Sequence, residues 1–111
     1  MDRKLIKNIE YSTILPLADQ VGYQDGQIVS KTLIQNSALS LTLFAFDKGE
    51  EISSHKSSGD AMVIALDGVG RITIDGVDYI LKAGETIIMP VGKPHAVYAA
   101  EQFKMFLVVV F

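Results

Sequence analysis

The chain contains two histidines, His55 in the stretch SSHKSSGDAMV and His95 in the stretch MPVGKPHAV. Imidazole has an ordinary pKa close to neutral pH, so it exchanges protons readily and is the commonest side-chain ligand of transition metals. The chain has no cysteine, which excludes thiolate metal sites and disulfide bonds. The chemistry that this sequence offers therefore depends on whether the two histidines meet in space.

The elements that would position these histidines are short β-strands. Apolar residues recur with a period of two, and turn signals such as DKGE, SSGD and KAGE separate the runs. Asp75-Gly76 between apolar flanks indicates a two-residue hairpin. A short helical turn fits only within residues 12–20, where Pro16 limits it. The pattern predicts an all-β sandwich or barrel with strands over residues 27–35, 39–46, 61–66, 71–74, 77–81, 85–90, 95–99 and 102–111.

Length and composition limit the function classes. The chain has 111 residues, 49% of them hydrophobic, which predicts one domain with its own core. We expect an N-terminal segment, residues 1–26, to pack on a barrel formed by residues 27–111. The net charge of −3 argues against nucleic acid as a partner, and no apolar run is long enough to cross a membrane. The charged N-terminus does not resemble a signal peptide, so we expect a cytoplasmic protein.

The spacing of glycines, prolines and histidines resembles the two motifs of the cupin superfamily. In the first motif a glycine is followed by two histidines, a glutamate and a second glycine. The chain keeps the spacing of this motif but has serine and alanine at the places of the second histidine and the glutamate: Gly49, His55, Ser57, Ala61 and Gly68.

The second motif runs from glycine through proline, glycine and histidine to asparagine. The chain matches it at four of five places, with alanine at the last: Gly84, Pro90, Gly92, His95 and Ala99. The chain is most similar to small single-domain bacterial cupins. The resemblance implies a cupin-type double-stranded β-helix, that is, a jelly-roll barrel of antiparallel strands. It also implies a degenerate metal site, because family members hold a divalent ion with three histidines and one glutamate.

Alternation along a strand places the candidate site on the inner wall of this barrel. Residues two apart share a face, so His55 and Ser57 point the same way and Ala61 resumes that face after the SSGD turn. With His95 they give an inward set rich in small residues, which also includes Val63, Ala65, Val97 and Ala99. Small side chains leave room, and we expect an apolar pocket with a few polar groups.

A metal site would need a further ligand. Catalytic zinc normally has three protein ligands, and non-haem iron uses two histidines and a carboxylate. Asp60 would supply the carboxylate if a bulge at Gly59 turned it inward, next to His55 and His95. Zinc, iron, nickel or manganese would then be the candidate ion. The alternative is that Asp60 is a loop residue that bonds its neighbouring backbone amides.

These observations favour a small-molecule-binding cupin, with a sensor or accessory role and a pocket formed by His55, Ser57, Asp60 and His95. The alternative is a metal-dependent enzyme of the dioxygenase or isomerase type that acts on a small polar or phenolic substrate. A metal-free acid–base enzyme is a third possibility between these two, since two neighbouring imidazoles can exchange protons near neutral pH.

Two predicted strands are apolar on both faces, AMVIAL and KMFLVVV. An antiparallel strand with one solvent-facing side should alternate apolar and polar residues, so something must cover the outer face. The N-terminal segment could cover part of it. We expect a second copy of the chain to cover the rest, because a large exposed apolar patch usually marks an interface. The sequence therefore predicts a homodimer.

Overall fold

A computed structural model describes residues 3–111 and shows an almost entirely β structure. Residues 1 and 2, part of the N-terminal segment predicted over residues 1–26, lie outside the described residues. A short 3-10 helix, Leu17–Gln20, begins directly after Pro16. No helix within residues 3–111 has the length and hydropathy needed to span a membrane. The strands are β1 Ile28–Gln35, β2 Leu39–Phe46, β3 Glu51–His55, β4 Asp60–Ile74, β5 Val77–Lys82, β6 Thr86–Met89 and β7 His95–Val110.

All strand pairs are antiparallel, and two long strands link the halves of the fold. β4 and β7 pair with each other along most of their lengths. In one half the strand order is β1-β2-β7-β4-β6, and in the other it is β3-β7-β4-β5. The predicted all-β fold of antiparallel strands is therefore confirmed.

The structure corrects the predicted strand boundaries in two places. The runs 61–66 and 71–74 belong to one strand, β4, and the runs 95–99 and 102–111 belong to β7. The register shifts where Gly68 faces Phe103 and Gly70 faces Ala99, so β7 contains extra residues at this point. A bulge bends a strand without ending its pairing. β3 was not among the predicted strands, because its residues are mostly polar and exposed.

The core lies between the inner faces of the two halves. Its largest fully buried side chains include Phe46, Phe103, Ile72 and Met105. A second cluster lies on the outer face of β1 and β2, where Leu33, Leu43 and Ala45 are covered by Val21 and partly buried residues of the N-terminal segment. The main core fixes the inner wall that carries the candidate site.

Candidate ligand-binding site

The strand register places the two histidines side by side. β3 ends at His55, β7 begins at His95, and these two residues are direct partners in the antiparallel β3–β7 pair. Their ring centroids lie 4.3 Å apart, with an angle of 68° between the ring planes. The histidines of the two sequence motifs therefore meet in space.

Two hydrogen bonds join the loop after His55 and the first residue of β4 to the turn before His95. The backbone N–H of Gly92 donates to the carbonyl oxygen of Ser57 at 3.1 Å. The backbone N–H of Val91 donates to Oδ1 of Asp60 at 2.8 Å. These bonds hold the β3–β4 connection against the β6–β7 connection and so support the pairing of the two histidines.

Each imidazole is oriented by a carbonyl group two residues earlier in the chain. Nδ1 of His55 lies 2.9 Å from the carbonyl oxygen of Ser53, and Nδ1 of His95 lies 3.2 Å from that of Lys93. A carbonyl oxygen only accepts hydrogen bonds, so Nδ1 must carry the proton in both rings. In the neutral form each ring therefore keeps a lone pair on Nε2, on the side away from its own backbone.

The two histidines differ in exposure. His95 is only 3% exposed, whereas His55 is exposed. Burial, and to a smaller extent the neighbouring His55, lowers the pKa of His95 below its ordinary value of 6.5, while the hydrogen bond with Lys93 acts in the opposite direction. His95 is accordingly a neutral imidazole at neutral pH.

A cavity of about 140 Å³ lies beside the two rings. His55, Ser57 and His95 supply its polar lining, and Ala61 and Val97 also contribute, as the alternation of the sequence indicated. Val63, Ala65 and Ala99 of the predicted inward set are not part of the lining and are buried in the core. The remaining walls are apolar and consist of Phe44, Ile52, Met89, Met105, Leu107 and Val109.

Sequence reasoning missed most of these apolar walls. Met105, Leu107 and Val109 alternate along β7, so the period of two places them on one face. Phe44 and Met89 come from β2 and β6, which the two histidine motifs do not include. Only the strand pairing shows that these three strands contribute to the same cavity.

Asp60 does not join the two histidines. It is exposed, it does not line the cavity, and its Oδ1 accepts the hydrogen bond from Val91 described above. Gly59 does not produce an inward bulge at Asp60. It allows close approach to β7, since a Cβ atom at residue 59 would lie 2.4 Å from the carbonyl oxygen of Val110. Asp60 is thus the first residue of β4 and accepts from the distant amide of Val91, whereas the loop alternative expected bonds to neighbouring amides.

The residues present do not make a set of three metal ligands. The free Nε2 atoms of His55 and His95 are suited to a metal, because a ligating imidazole usually donates its other N–H to an acceptor such as a backbone carbonyl. Ser57 and Ala61, however, stand where the family motif has histidine and glutamate. Within residues 3–111 no group of three His, Cys, Asp or Glu residues is arranged to hold a metal ion. Two imidazoles alone fall short of the three protein ligands typical of a catalytic zinc site.

Comparison with known proteins places this arrangement in a family. Residues 42–111 match the Cupin domain family. A crystal structure of a protein of unknown function from Streptococcus pyogenes is similar over 97% of this chain and 95% of that chain, with 48% identity and a TM-score of 0.95. A cupin superfamily protein from Desulfitobacterium hafniense is similar over 96% of this chain and 97% of that chain, with 29% identity and a TM-score of 0.91. A comparison with curated proteins gives no match.

A more distant similarity shows the fold alone. Salicylate 1,2-dioxygenase from Pseudoaminobacter salicylatoxidans is 17% identical, with a TM-score of 0.70, over 75% of this chain and 25% of that chain. The jelly-roll barrel expected from the two motifs is confirmed by the family match and by the structural similarity to a cupin. The chain is a small cupin and belongs to the cupin superfamily.

Proposed function

We propose that this cupin binds a small molecule in the cavity beside His55 and His95, and that it acts as a sensor or accessory protein. The observation that supports this proposal is an apolar cavity next to two imidazoles, each with a free Nε2 atom. Ligand pockets are typically apolar cavities with a few oriented polar groups. At about 140 Å³ the cavity suits a compact molecule of about one ring.

The alternative of a metal-dependent dioxygenase or isomerase receives less support. It needs a third ligand beside His55 and His95, and Asp60 is bonded to Val91 instead. The similarity to salicylate 1,2-dioxygenase is too distant to transfer an activity to this chain. We therefore rank ligand binding above metal-dependent catalysis.

A blocked cavity tests the proposal. We would screen compounds of low molecular mass by ligand-observed NMR against the wild type and Ala61→Leu, whose added side chain enters the cavity. Ser57→Leu is a second blocking variant in case Ala61→Leu is unstable. Ala96→Leu is the matched control, because residue 96 lies beside His95 but on the opposite face of β7.

The expected result is a set of compounds that bind the wild type and Ala96→Leu but not the blocked variants. Compounds that bind all four proteins equally, or a library that yields no ligand at all, would contradict the proposal.

We further propose that the chain forms a homodimer and that it works in the cytoplasm. The dimer is supported by apolar side chains that remain exposed on the outer face of the sheet, among them Met62, Ile88 and Val110. The absence of cysteine is consistent with a reducing compartment.

A further inference from the structure

We propose that the ligand is a neutral single-ring molecule, such as a phenol, whose O–H or N–H group donates a hydrogen bond to Nε2 of His95. This inference rests on the proposed function, since it assumes that the cavity is a binding site. The hydrogen-bonding groups, the size and the charge of the cavity lining define this class of ligand.

The hydrogen-bonding groups of the imidazoles call for a donor. Both Nδ1–H groups are already used by the carbonyl oxygens of Ser53 and Lys93. Each neutral ring therefore has only an acceptor, Nε2, left to offer. His95 is buried, and burial disfavours its charged form. A ligand that only accepts hydrogen bonds would find no donor on either neutral ring and would have to accept from the hydroxyl of Ser57.

The size and lining of the cavity call for a compact apolar body. A cavity of about 150 Å³ with apolar walls is large enough to bind benzene, and this one measures about 140 Å³. Two buried methionines, Met89 and Met105, line it. Thioether sulfur makes favourable contacts with aromatic rings, and the flexible side chain adapts to their shape. A single ring matches both features.

The charge of the lining excludes an anion as the preferred ligand. No lysine, arginine, aspartate or glutamate from residues 3–111 lines this cavity. A carboxylate would lose part of its hydration without gaining a lysine or arginine partner, and burial of an unpaired charge is costly. We therefore expect a phenol to bind in preference to a benzoate of the same ring size.

Three probes test this inference by NMR titration: phenol, toluene and benzoate. Phenol carries a hydroxyl group where toluene carries a methyl group, and benzoate carries a negatively charged carboxylate. We expect phenol to bind about tenfold more tightly than toluene, the ratio that corresponds to about 1.4 kcal/mol for one net hydrogen bond. The chain has two histidines, so a long-range proton–nitrogen spectrum reports each ring separately. Phenol should shift the Nε2 signal of His95, and toluene should leave it nearly unchanged.

Two variants of His95 separate the hydrogen bond from the shape of the cavity. In His95→Asn the side-chain amide keeps a donor near the position of Nδ1 but has no atom at Nε2. In His95→Gln the longer side chain places an amide oxygen near Nε2. The preference for phenol over toluene should disappear in His95→Asn and persist in His95→Gln. Toluene binding by His95→Asn shows that this variant still folds with an open cavity.

Equal affinity for phenol and toluene in the wild type would overturn the inference but leave the proposed binding function intact. Tighter binding of benzoate than of phenol would likewise overturn the inference and leave the proposed binding function intact. If none of the three probes binds, the inference is wrong, and the library screen with the blocked variants decides the proposed function independently.

Discussion

Each imidazole of the cavity is held in one tautomer by a backbone carbonyl group two residues earlier in the chain. The carbonyl groups of Ser53 and Lys93 accept from the Nδ1–H groups of His55 and His95, respectively. The sequence motifs predicted that the two histidines meet, because their spacing matches a known pattern of strands and turns. They could not predict the tautomers, which depend on the backbone carbonyl groups of Ser53 within β3 and of Lys93 in the turn before β7. Nor could they predict that Asp60 bonds to Val91, a contact between the start of β4 and the turn before β7.

The lowered pKa of His95 predicts a loss of stability in mild acid. The unfolded chain takes up a proton near pH 6.5, whereas the folded chain resists protonation of His95 until a lower pH. The stability linked to this residue is therefore complete above pH 6.5 and decreases as the pH falls through that value. In thermal unfolding between pH 8 and pH 5.5, the Tm of the wild type should fall more steeply than that of His95→Gln. Parallel curves of Tm against pH for the two proteins would contradict the lowered pKa of His95.

Restoring the missing family ligands should create a metal site. Ser57 and Ala61 both line the cavity beside the two imidazoles, so Ser57→His with Ala61→Glu would give four ligands. Binding to the folded state adds about 2.7 kcal/mol of stability at a hundredfold excess over Kd. The metal-free double variant should be less stable than the wild type, because a glutamate at the buried position of Ala61 adds strain of roughly 1–3 kcal/mol.

The measurement is the Tm of the wild type and of the double variant with zinc, nickel or manganese. Metal should raise the Tm of the double variant more than that of the wild type. A folded double variant that does not respond to any of the three ions would show that positions 57 and 61 do not converge with the histidines.

Among the strands, the alternation of apolar residues predicted most of the segments. The continuity of β4 and the existence of β3 depend on pairing between residues that are distant in the sequence. The Asp75-Gly76 hairpin is as predicted, with φ angles of 50° and 81° that suit a tight β-turn. The predicted runs 61–66 and 71–74 form one strand, β4, although Gly68 and Gly70 lie between them. The sequence did not predict this continuity, because glycine usually indicates a break in a strand. Strand β3 was not predicted, because its sequence is mostly polar. It forms a strand because it pairs with β7.

Gly68 allows β4 to continue past the bulge in β7, and its substitution should be costly. Its φ angle is +74°, and a Cβ atom would lie 1.6 Å from the carbonyl oxygen of Gln102. We expect Gly68→Ala to lower the free energy of unfolding by at least about 2 kcal/mol. Gly22 has open space where a Cβ would lie, so Gly22→Ala should change it by less than about 0.5 kcal/mol. Urea denaturation measures the free energy of unfolding of both variants. Similar losses for Gly68→Ala and Gly22→Ala would contradict this role of Gly68.

At the scale of the whole molecule, the outer face of the sheet is only partly covered. Leu66 and Phe106 belong, with apolar residues of the N-terminal segment, to the second apolar cluster. Next to it, Met62 is 36% exposed and Val110 is 58% exposed. Met62 pairs with Ile88 on one side and with Val108 on the other, so these side chains form a continuous apolar row. This row is the surface that we expect a second copy to bury.

Light scattering at micromolar concentration tests the dimer. The wild type should have the mass of two chains, and Met62→Glu should shift it towards one chain, because a charge would be placed in the apolar contact. Val77→Glu is the matched control, since Val77 is 53% exposed in the β4–β5 hairpin, away from this row. A wild type with the mass of one chain would disprove the dimer, and equal effects of the two variants would disprove the proposed surface.

A crystal structure of protein purified without chelators and without added metal would show most directly what the cavity binds. Anomalous data and elemental analysis of the same sample would identify any bound ion. We predict non-protein density of ring size in the cavity, or clear binding of a soaked phenol there, with a contact to Nε2 of His95 and much less than one transition metal ion per chain. A full-occupancy metal ion bonded to both imidazoles, or a cavity closed by its own walls, would contradict the proposed function.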